Sequence, residues 1–243
     1  MTNIWSITDT GLVRKENQDA YAVKKAFGHT ICVVCDGMGG SAGGKLASRL
    51  AVDTFSAEME KRLSQEAKPD RLREISVVAV ALANRAVREA AKSSVEYQSM
   101  GTTLVSAVSF DGGAVIANVG DSRAYHINRD RIVQVTKDHS LVEHMVERGD
   151  ITAEEARRHP NRNLITRALG PDVDPECDCY ICQLLEGDYL LMCSDGLVNT
   201  VTDQEIFQEV RREDPDTCVE RLLAISKSRG ASDNVTVILA RNL

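Results

Sequence analysis

The chain has 243 residues, of which 43 % are hydrophobic and 27 % are charged. These proportions are ordinary for a globular protein, and the length allows a sizeable core to be buried. With 29 basic and 36 acidic residues the formal charge is −7, so no electrostatic attraction to nucleic acid or to an anionic membrane is expected. A phosphate group bound by this chain would have to be neutralised locally.

The sequence carries no feature of a secreted or membrane-spanning protein. The segment MTNIWSITDTG lacks the basic region and apolar core of a secretory signal. No apolar run approaches the roughly 20 residues that span a bilayer, and the seven cysteines are odd in number and scattered. We therefore expect a protein of the reducing cytoplasm. Since no repeat or linker interrupts the chain, residues 1–243 are expected to form a single domain.

The first half of the chain predicts strands, then helices, then strands again. The opening β-rich runs are NIWSIT, DAYAVKK and TICVVCD. Helices are predicted over about 44–63 and about 71–92, and in the second Ile75, Val78, Leu82 and Ala86 mark one buried face. The runs TTLVSAVSF, AVIANVG, RAYHIN and RIVQVT follow, separated by turn signals such as DGG. This alternation is typical of an antiparallel meander.

The second half begins with a polar segment, about 140–169, that predicts helix. The strands CDCYICQLL and DYLLMCS come next, then helices starting near Asp203 (capped by Thr202 or Asp203) and near Asp216, and a last strand, NVTVILA. Strands grouped in meanders with helices in separate blocks indicate an α+β sandwich rather than a βαβ array.

One glycine-rich stretch, VVCDGMGGSAGGKLAS (33–48), permits two interpretations. From Gly39 to Lys45 it nearly spells a phosphate-binding P-loop, but Leu46 stands where the motif requires Ser or Thr, and a P-loop belongs to a parallel sheet. In the other interpretation Asp36 holds a metal ion and the glycines make room for it.

Four aspartates adjoin predicted strands: Asp36 after ICVVC, Asp121 after AVIANVG, Asp195 after YLLMCS and Asp233 before NVTVILA. If they converge, their mutual repulsion requires protons or cations. An all-oxygen ligand set favours Mg²⁺ or Mn²⁺ over zinc. Each Asp could instead belong to an ordinary turn, and spacing alone does not decide between the two.

Eight segments together resemble the metal-dependent protein phosphatases of type 2C (the PPM family), particularly the compact bacterial stand-alone members. The segments follow the family's order and cover almost the entire chain: RKENQD (14–19), VVCDGMGG (33–40), MGTT (100–103), ANVGDSRAY (117–125), KDHSLV (137–142), NLITRALG (163–170), GDYLLMCSDGL (187–197) and SDNVTVI (232–238). The resemblance implies a four-layer α-β-β-α sandwich of two mostly antiparallel sheets flanked by helices, with a flap at about 140–170.

The resemblance also implies a role for each site residue. Asp36, the Gly37 carbonyl, Asp195 and Asp233 would hold two Mn²⁺ or Mg²⁺ ions, and Asp121 would help to bind a third. Asp19 would hold metal-bound water, and Arg14 would grip the substrate phosphate. Met38 stands where eukaryotic relatives often have a His proposed as general acid, so the proton donor is unassigned.

The implied activity is hydrolysis of phosphoserine and phosphothreonine in proteins, by in-line attack of a metal-bridging hydroxide. The partners would be phosphorylated proteins and a cognate bacterial serine/threonine kinase that this protein opposes, with no nucleic acid or membrane partner, and the protein would be a monomer. A catalytically silent regulatory module on the same fold is the alternative, and retention of the acidic residues and Arg14 argues against it.

The cysteines and His139 have simpler interpretations. Cys32 and Cys35 would point to opposite faces of one strand, which disfavours a disulfide. Cys177 and Cys179 would share a face of their strand and Cys182 would not, so small apolar packing is favoured over a zinc site. His139 is expected to order the start of the flap.

Overall fold

The structure is a computed structural model that describes residues 2–212, 214–241 and 243. Its strands are β1 (Asn3–Asp9), β2 (Asp19–Ala26), β3 (His29–Met38), β4 (Gly101–Thr102), β5 (Leu104–Phe110), β6 (Gly113–Val119), β7 (Arg123–Ile127), β8 (Ile132–Gln134), β9 (Asp178–Gln183), β10 (Tyr189–Cys193) and β11 (Val235–Arg241). Its helices are α1 (Gly40–Arg62), α2 (Pro69–Ala91), α3 (Leu141–Glu147), α4 (Ala153–Arg158), α5 (Asp195–Val198), α6 (Asp203–Val210) and α7 (Cys218–Ser228).

The strands form two sheets. One has the order β1-β11-β10-β7-β8, and the other has the order β2-β3-β5-β6-β9 with β4 paired to β3. Every strand pair in the described ranges is antiparallel. The predicted α+β sandwich is therefore confirmed, and the P-loop interpretation, which needs a parallel sheet, is wrong.

Three apolar clusters separate four layers. The first packs α1 and α2 onto the β3-containing sheet, and the second packs α5, α6 and α7 onto the sheet that contains β10 and β11. The third fills the space between the sheets, with side chains such as Val105, Ile116 and Met192. Burial of these three clusters holds the two sheets face to face and brings ends of their strands together.

Two predicted elements need correction. Helix α1 begins at Gly40, four residues before the predicted start, because the glycine run enters the helix. The segment 140–169 is not one helical region: α3 and α4 take up only part of it, and turns and irregular backbone occupy the rest. Gly149 ends the first helical portion with φ of 74°, and Thr152 starts the second with a capping box.

None of the helices in the described ranges combines the length and hydrophobicity that crossing a bilayer needs.

Candidate active site

Six of the seven predicted site residues line one cavity of about 450 Å³ at an end of the sandwich. They are Arg14, Asp36, Gly37, Asp121, Asp195 and Asp233. The seventh, Asp19, does not line the cavity and is 9 % exposed. The structure therefore brings together residues that lie more than two hundred positions apart in the sequence.

Both sheets contribute to this cavity. Asp36 lies within β3, two residues before the strand ends, whereas Asp195 is the first residue of α5 after β10, and Asp233 lies two residues before β11. Asp121 follows β6 by two residues. The side chains converge because these strand ends meet at one edge of the packed sheets, and each acid lies in a strand or within two residues of one.

Asp19 faces Asp36 directly across the β2–β3 pair. Its Oδ2 accepts hydrogen bonds from Ser194 Oγ and Thr236 Oγ1, both at 2.7 Å, while its Oδ1 is buried without a partner among the described residues. Asp19 thus links β2 to the sheet that carries Asp195. The arrangement orients Asp19 from behind the cavity.

The glycine run makes room for a sharp change of direction. A side chain at Gly37 would place Cβ 2.1 Å from the Gly44 carbonyl oxygen, so α1 packs directly on β3 there. Gly39 has φ of 110° and caps α1, and its Cβ would lie 2.5 Å from the Ser99 carbonyl. Lys45 is an exposed second-turn residue whose Nζ lies 2.7 Å from Glu16 Oε1. The interpretation in which the glycines make room beside Asp36 agrees with this geometry.

The clustered carboxyl groups bind their protons unusually tightly. Burial, and then the charges of Asp19 and Asp195, raise the pKa of Asp36 well above its usual value. Burial, followed by the charge of Asp195, raises the pKa of Asp121 as well. Burial and the neighbouring Asp233 raise the pKa of Asp195. Concentrated negative charge of this kind is stabilised by protons or by cations.

The oxygen-rich donor set fits hard divalent cations. Oδ1 of Asp195 is buried and has no hydrogen-bond partner among the described residues, an arrangement that costs about 1–3 kcal/mol unless something compensates it. Carboxylate and carbonyl oxygens are the ligands that Mg²⁺ and Mn²⁺ prefer. These residues could hold such ions together with the Gly37 carbonyl.

Arg14 forms an ion pair with one of the clustered acids. Arg14 Nη2 donates to Asp233 Oδ2 at 2.8 Å, and the Arg14 side chain is 55 % exposed. In the part of the chain that the structure describes, no three Asp, Glu, His or Cys side chains already have the spacing of a metal ligand set. Asp233 is therefore paired with Arg14 and is not already part of a three-residue ligand set with Asp36 and Asp195.

Sequence reasoning missed several residues that hold the acids in place. Asn234 Oδ1 accepts from the Gln18 backbone NH at 2.8 Å, and its amide donates to the carbonyls of Thr10 and Glu16, which fixes the segment that carries Arg14. Thr103 Oγ1 accepts from the Asp36 backbone NH at 2.9 Å. Their positions in the sequence could have indicated them, because Asn234 directly follows the predicted site residue Asp233 and Thr103 ends the family segment MGTT.

His139 fixes the base of the flap, as expected. Gly120 NH donates to His139 Nδ1 at 3.0 Å, so Nε2 carries the proton and faces Asp178 Oδ2 at 3.2 Å. The backbone NH of Thr166 donates to the His139 carbonyl at 2.8 Å. Asp178 also accepts from Arg167 at 3.0 Å. These contacts tie both ends of the segment 140–166 to β9 and to the turn before Asp121.

Known proteins resemble the chain over nearly its full length. The family model for protein phosphatase 2C matches residues 13–235. The serine/threonine phosphatase stp of Listeria innocua is 36 % identical over 97 % of this chain and 94 % of its own. The solved structure of the S. agalactiae serine/threonine phosphatase superposes with a TM-score of 0.93 at 32 % identity, covering 99 % of both chains.

A further solved structure is the catalytic domain of the serine/threonine protein phosphatase PstP in complex with 2 manganese ions. It superposes with a TM-score of 0.84 at 30 % identity and covers 99 % of this chain and 97 % of that one. Together with the cavity and the antiparallel sandwich, these matches establish that the chain belongs to the protein phosphatase 2C family.

Proposed function

We propose that this chain is a metal-dependent protein serine/threonine phosphatase that hydrolyses phosphoserine and phosphothreonine monoesters. The observation that carries the proposal is the cavity in which Arg14 stands beside a buried group of aspartates. Relatives named serine/threonine phosphatases match the chain over nearly all of its length, which supports the same reaction here.

The acidic residues would hold the catalytic ions. Asp36, the Gly37 carbonyl, Asp195 and Asp233 would bind two Mn²⁺ or Mg²⁺ ions, and Asp121 would help to bind a third. The manganese-bound PstP domain supports this assignment. When bound, the ions supply Lewis acidity, which makes water acidic enough to ionise near neutral pH and neutralises the phosphoryl oxygens.

Arg14 is suited to bind the phosphate of the substrate. A guanidinium can donate two parallel hydrogen bonds to a phosphate and keeps its charge at any physiological pH. Because it is half exposed and already holds a carboxylate of Asp233, it can exchange this anion for another. Arg14 would therefore receive the phosphate in place of the Asp233 carboxylate.

Asp19 would position water beside the phosphate through the hydrogen bonds that fix its own carboxylate. Met38 lines the same cavity, but a thioether has no proton to give. We propose that the leaving alkoxide takes its proton from water in the cavity, and that Met38 shapes the wall.

A second cavity favours a protein as the substrate over a small phosphate ester. It has a volume of about 610 Å³, lies between the flap and α6, and shares Asp121 and Asp195 with the first cavity. Arg157 and Arg162 are among the residues that line it. Peptide residues flanking a phosphorylated side chain would occupy this space.

The remaining expectations extend the same proposal. Residues 1–243 act as one catalytic unit whose flap, at about 140–170, contacts the substrate. The protein works as a monomer in the cytoplasm, which suits its seven free cysteines, and it opposes a serine/threonine kinase.

Hydrolysis of p-nitrophenyl phosphate and of a phosphothreonine peptide tests the proposal. Activity should require added Mn²⁺ or Mg²⁺ and stop with EDTA. Asp36→Ala and Asp233→Ala should each reduce kcat/KM at least about a hundredfold, since each removes several kcal/mol of transition-state stabilisation. Asp130→Ala, which removes an exposed acid from a turn, is the matched control and should keep full activity. Full activity in either site variant would contradict the ligand assignment.

Calorimetric titration with Mn²⁺ separates this enzyme from a silent module of the same fold. Folded protein that neither binds Mn²⁺ nor hydrolyses either substrate would favour the silent module. Binding that is lost in Asp36→Ala, together with turnover, supports the phosphatase.

A further inference from the structure

Two cysteines outside the active site lie side by side at the edge of a sheet. Cys177 immediately precedes β9 and Cys179 lies within it, and their Sγ atoms are 4.0 Å apart. Both are half-buried, whereas the other five cysteines are buried. β9 is the last strand of its sheet, and both side chains stay partly exposed where they pack against the α1–α2 core.

The surroundings shift the pKa values of the two thiols in opposite directions. A hydrogen bond from Cys177 and the nearby Arg73 guanidinium lower the pKa of Cys179. The contact with Cys179 and burial raise the pKa of Cys177. The lower pKa falls on Cys179, so Cys179 is the better candidate for the attacking cysteine and Cys177 for the resolving one.

We propose that Cys177 and Cys179 are a site of reversible oxidation, forming a disulfide when the protein meets a hydroperoxide. The Cys179 thiolate attacks the peroxide oxygen, the O–O bond breaks, and a sulfenic acid forms while the released alkoxide or hydroxide takes a proton from solvent. Cys177 then attacks that sulfur, its proton leaves with the hydroxide as water, and the S–S bond forms. The two thiols lose two electrons in total, and the hydroperoxide is reduced to an alcohol or water.

Strand geometry makes such a disulfide easy to reverse. Residues two apart on a strand have Cα atoms about 6.6–6.8 Å apart, at the long end of the roughly 4.4–6.8 Å range of disulfides. Closing the bond requires the backbone to shorten locally. A strained and accessible disulfide is readily reduced by cellular thiols.

The strain falls on Asp178, the residue between the two cysteines. Its carboxylate faces the other way and holds His139 and Arg167 at the base of the flap. His139 in turn accepts from Gly120, the neighbour of Asp121. Shortening the strand at Asp178 should therefore loosen the flap and the turn that carries Asp121.

Mass spectrometry of the full-length protein tests the site without relying on phosphatase activity. After treatment with hydrogen peroxide, the wild type should lose two hydrogen atoms, fragmentation should place the bond between Cys177 and Cys179, and dithiothreitol should restore the mass. Cys182→Ser, on the same strand but the opposite face, is the control and should behave like the wild type. Cys177→Ser should stop at a sulfenic acid that dimedone traps.

Three outcomes would overturn the proposal. They are the same mass loss in Cys179→Ser, a bond to another cysteine, or oxidation past the sulfenic acid in the wild type without a disulfide. Amide hydrogen exchange tests the coupling between the disulfide and the flap. Oxidation should speed exchange across residues 139–167 in the wild type and should leave the exchange rates of Cys179→Ser unchanged. Equal exchange before and after disulfide formation would refute the link to the flap.

Discussion

Replacing Asp19 with Asn separates the charge of this buried side chain from its hydrogen bonding. The amide oxygen can still accept from Ser194 and Thr236, which bond to a single carboxylate oxygen. The amide nitrogen would take the place of Oδ1, which has no partner, and the cost of that mismatch is the same at every pH. Only the loss of charge makes the effect of Asp19→Asn depend on pH.

The pKa of Asp19 gives the size and the sign of the effect. Burial raises this pKa from 3.8 to about 6, and a difference of about 2 pH units between the folded and unfolded states is worth about 3 kcal/mol. A raised carboxyl pKa contributes stability that is fully present below about pH 4 and is lost as pH rises through about 6. We therefore compare the free energy of unfolding of metal-free Asp19→Asn with that of the wild type. This difference should favour the variant by about 3 kcal/mol more above about pH 6 than below about pH 4.

Thermal unfolding of the metal-free protein near pH 4 and pH 8 measures this gain. For 243 residues, about 3 kcal/mol corresponds to a rise of about 6 °C in Tm at the higher pH. Saturating Mn²⁺ should reduce or reverse the difference, because a bound cation stabilises the wild-type carboxylate. Asp130→Asn, an exposed control, should show no such change with pH. An identical difference in Tm between Asp19→Asn and the wild type at both pH values would refute the reasoning.

Three further predictions concern other parts of the molecule. Arg14→Ala should raise KM for a phosphothreonine peptide roughly thirtyfold, through loss of about 2 kcal/mol of charge-assisted hydrogen bonding. The same substitution should not weaken Mn²⁺ binding, since it frees Asp233. An unchanged KM would contradict the proposed role of Arg14 in binding the phosphate. Arg221→Ala should lower the free energy of unfolding by about 3 kcal/mol, because buried Glu209 loses the guanidinium 2.8 Å away. Arg212→Ala, an exposed partner of the same acid, should cost less than about 1 kcal/mol in the same denaturant titration. Mn²⁺ affinity measured by calorimetry should fall as pH drops from about 8 to about 6, because ligands with raised pKa values must release protons; constant affinity would count against shared carboxylate ligands.

The positions of the acids could be predicted from local sequence, but their convergence could not. Asp36 and Asp195 follow apolar runs, so their placement at strand ends is a local property. The contact between Asp19 and Asp36 depends on the register of β2 and β3, and their approach to Asp195 depends on how the two sheets pack. Neither the strand register nor the packing of the sheets is encoded in a short window of residues. Only the ordered set of family motifs indicated that the acids converge.

The flap shows where local reasoning gives a wrong result. Its polar composition suggested helix over 140–169, yet α3 and α4 account for only part of it. Gly149 and the cap at Thr152 divide the segment, and the anchoring contacts of His139 with Asp178 come from β9. Similarly, the alternation of side chains along a strand placed Cys177 and Cys179 on one face. The contact between their sulfur atoms and the proximity of Arg73 to Cys179 could be seen only in the three-dimensional structure.

The apolar layer between the sheets has a consequence for how such a site changes during evolution. Asp36 is carried by one sheet and Asp195 and Asp233 by the other, so the thickness of the apolar layer between the sheets contributes to the distance between these acids. Trimming Ile116 or Met192, which lie in that layer, would leave a cavity that the surrounding structure closes only in part, and any such closure would narrow the gap between the acids. In the proposed metal site, variation in interior side-chain volume would thus adjust the gap between the acids while every acidic residue stays the same.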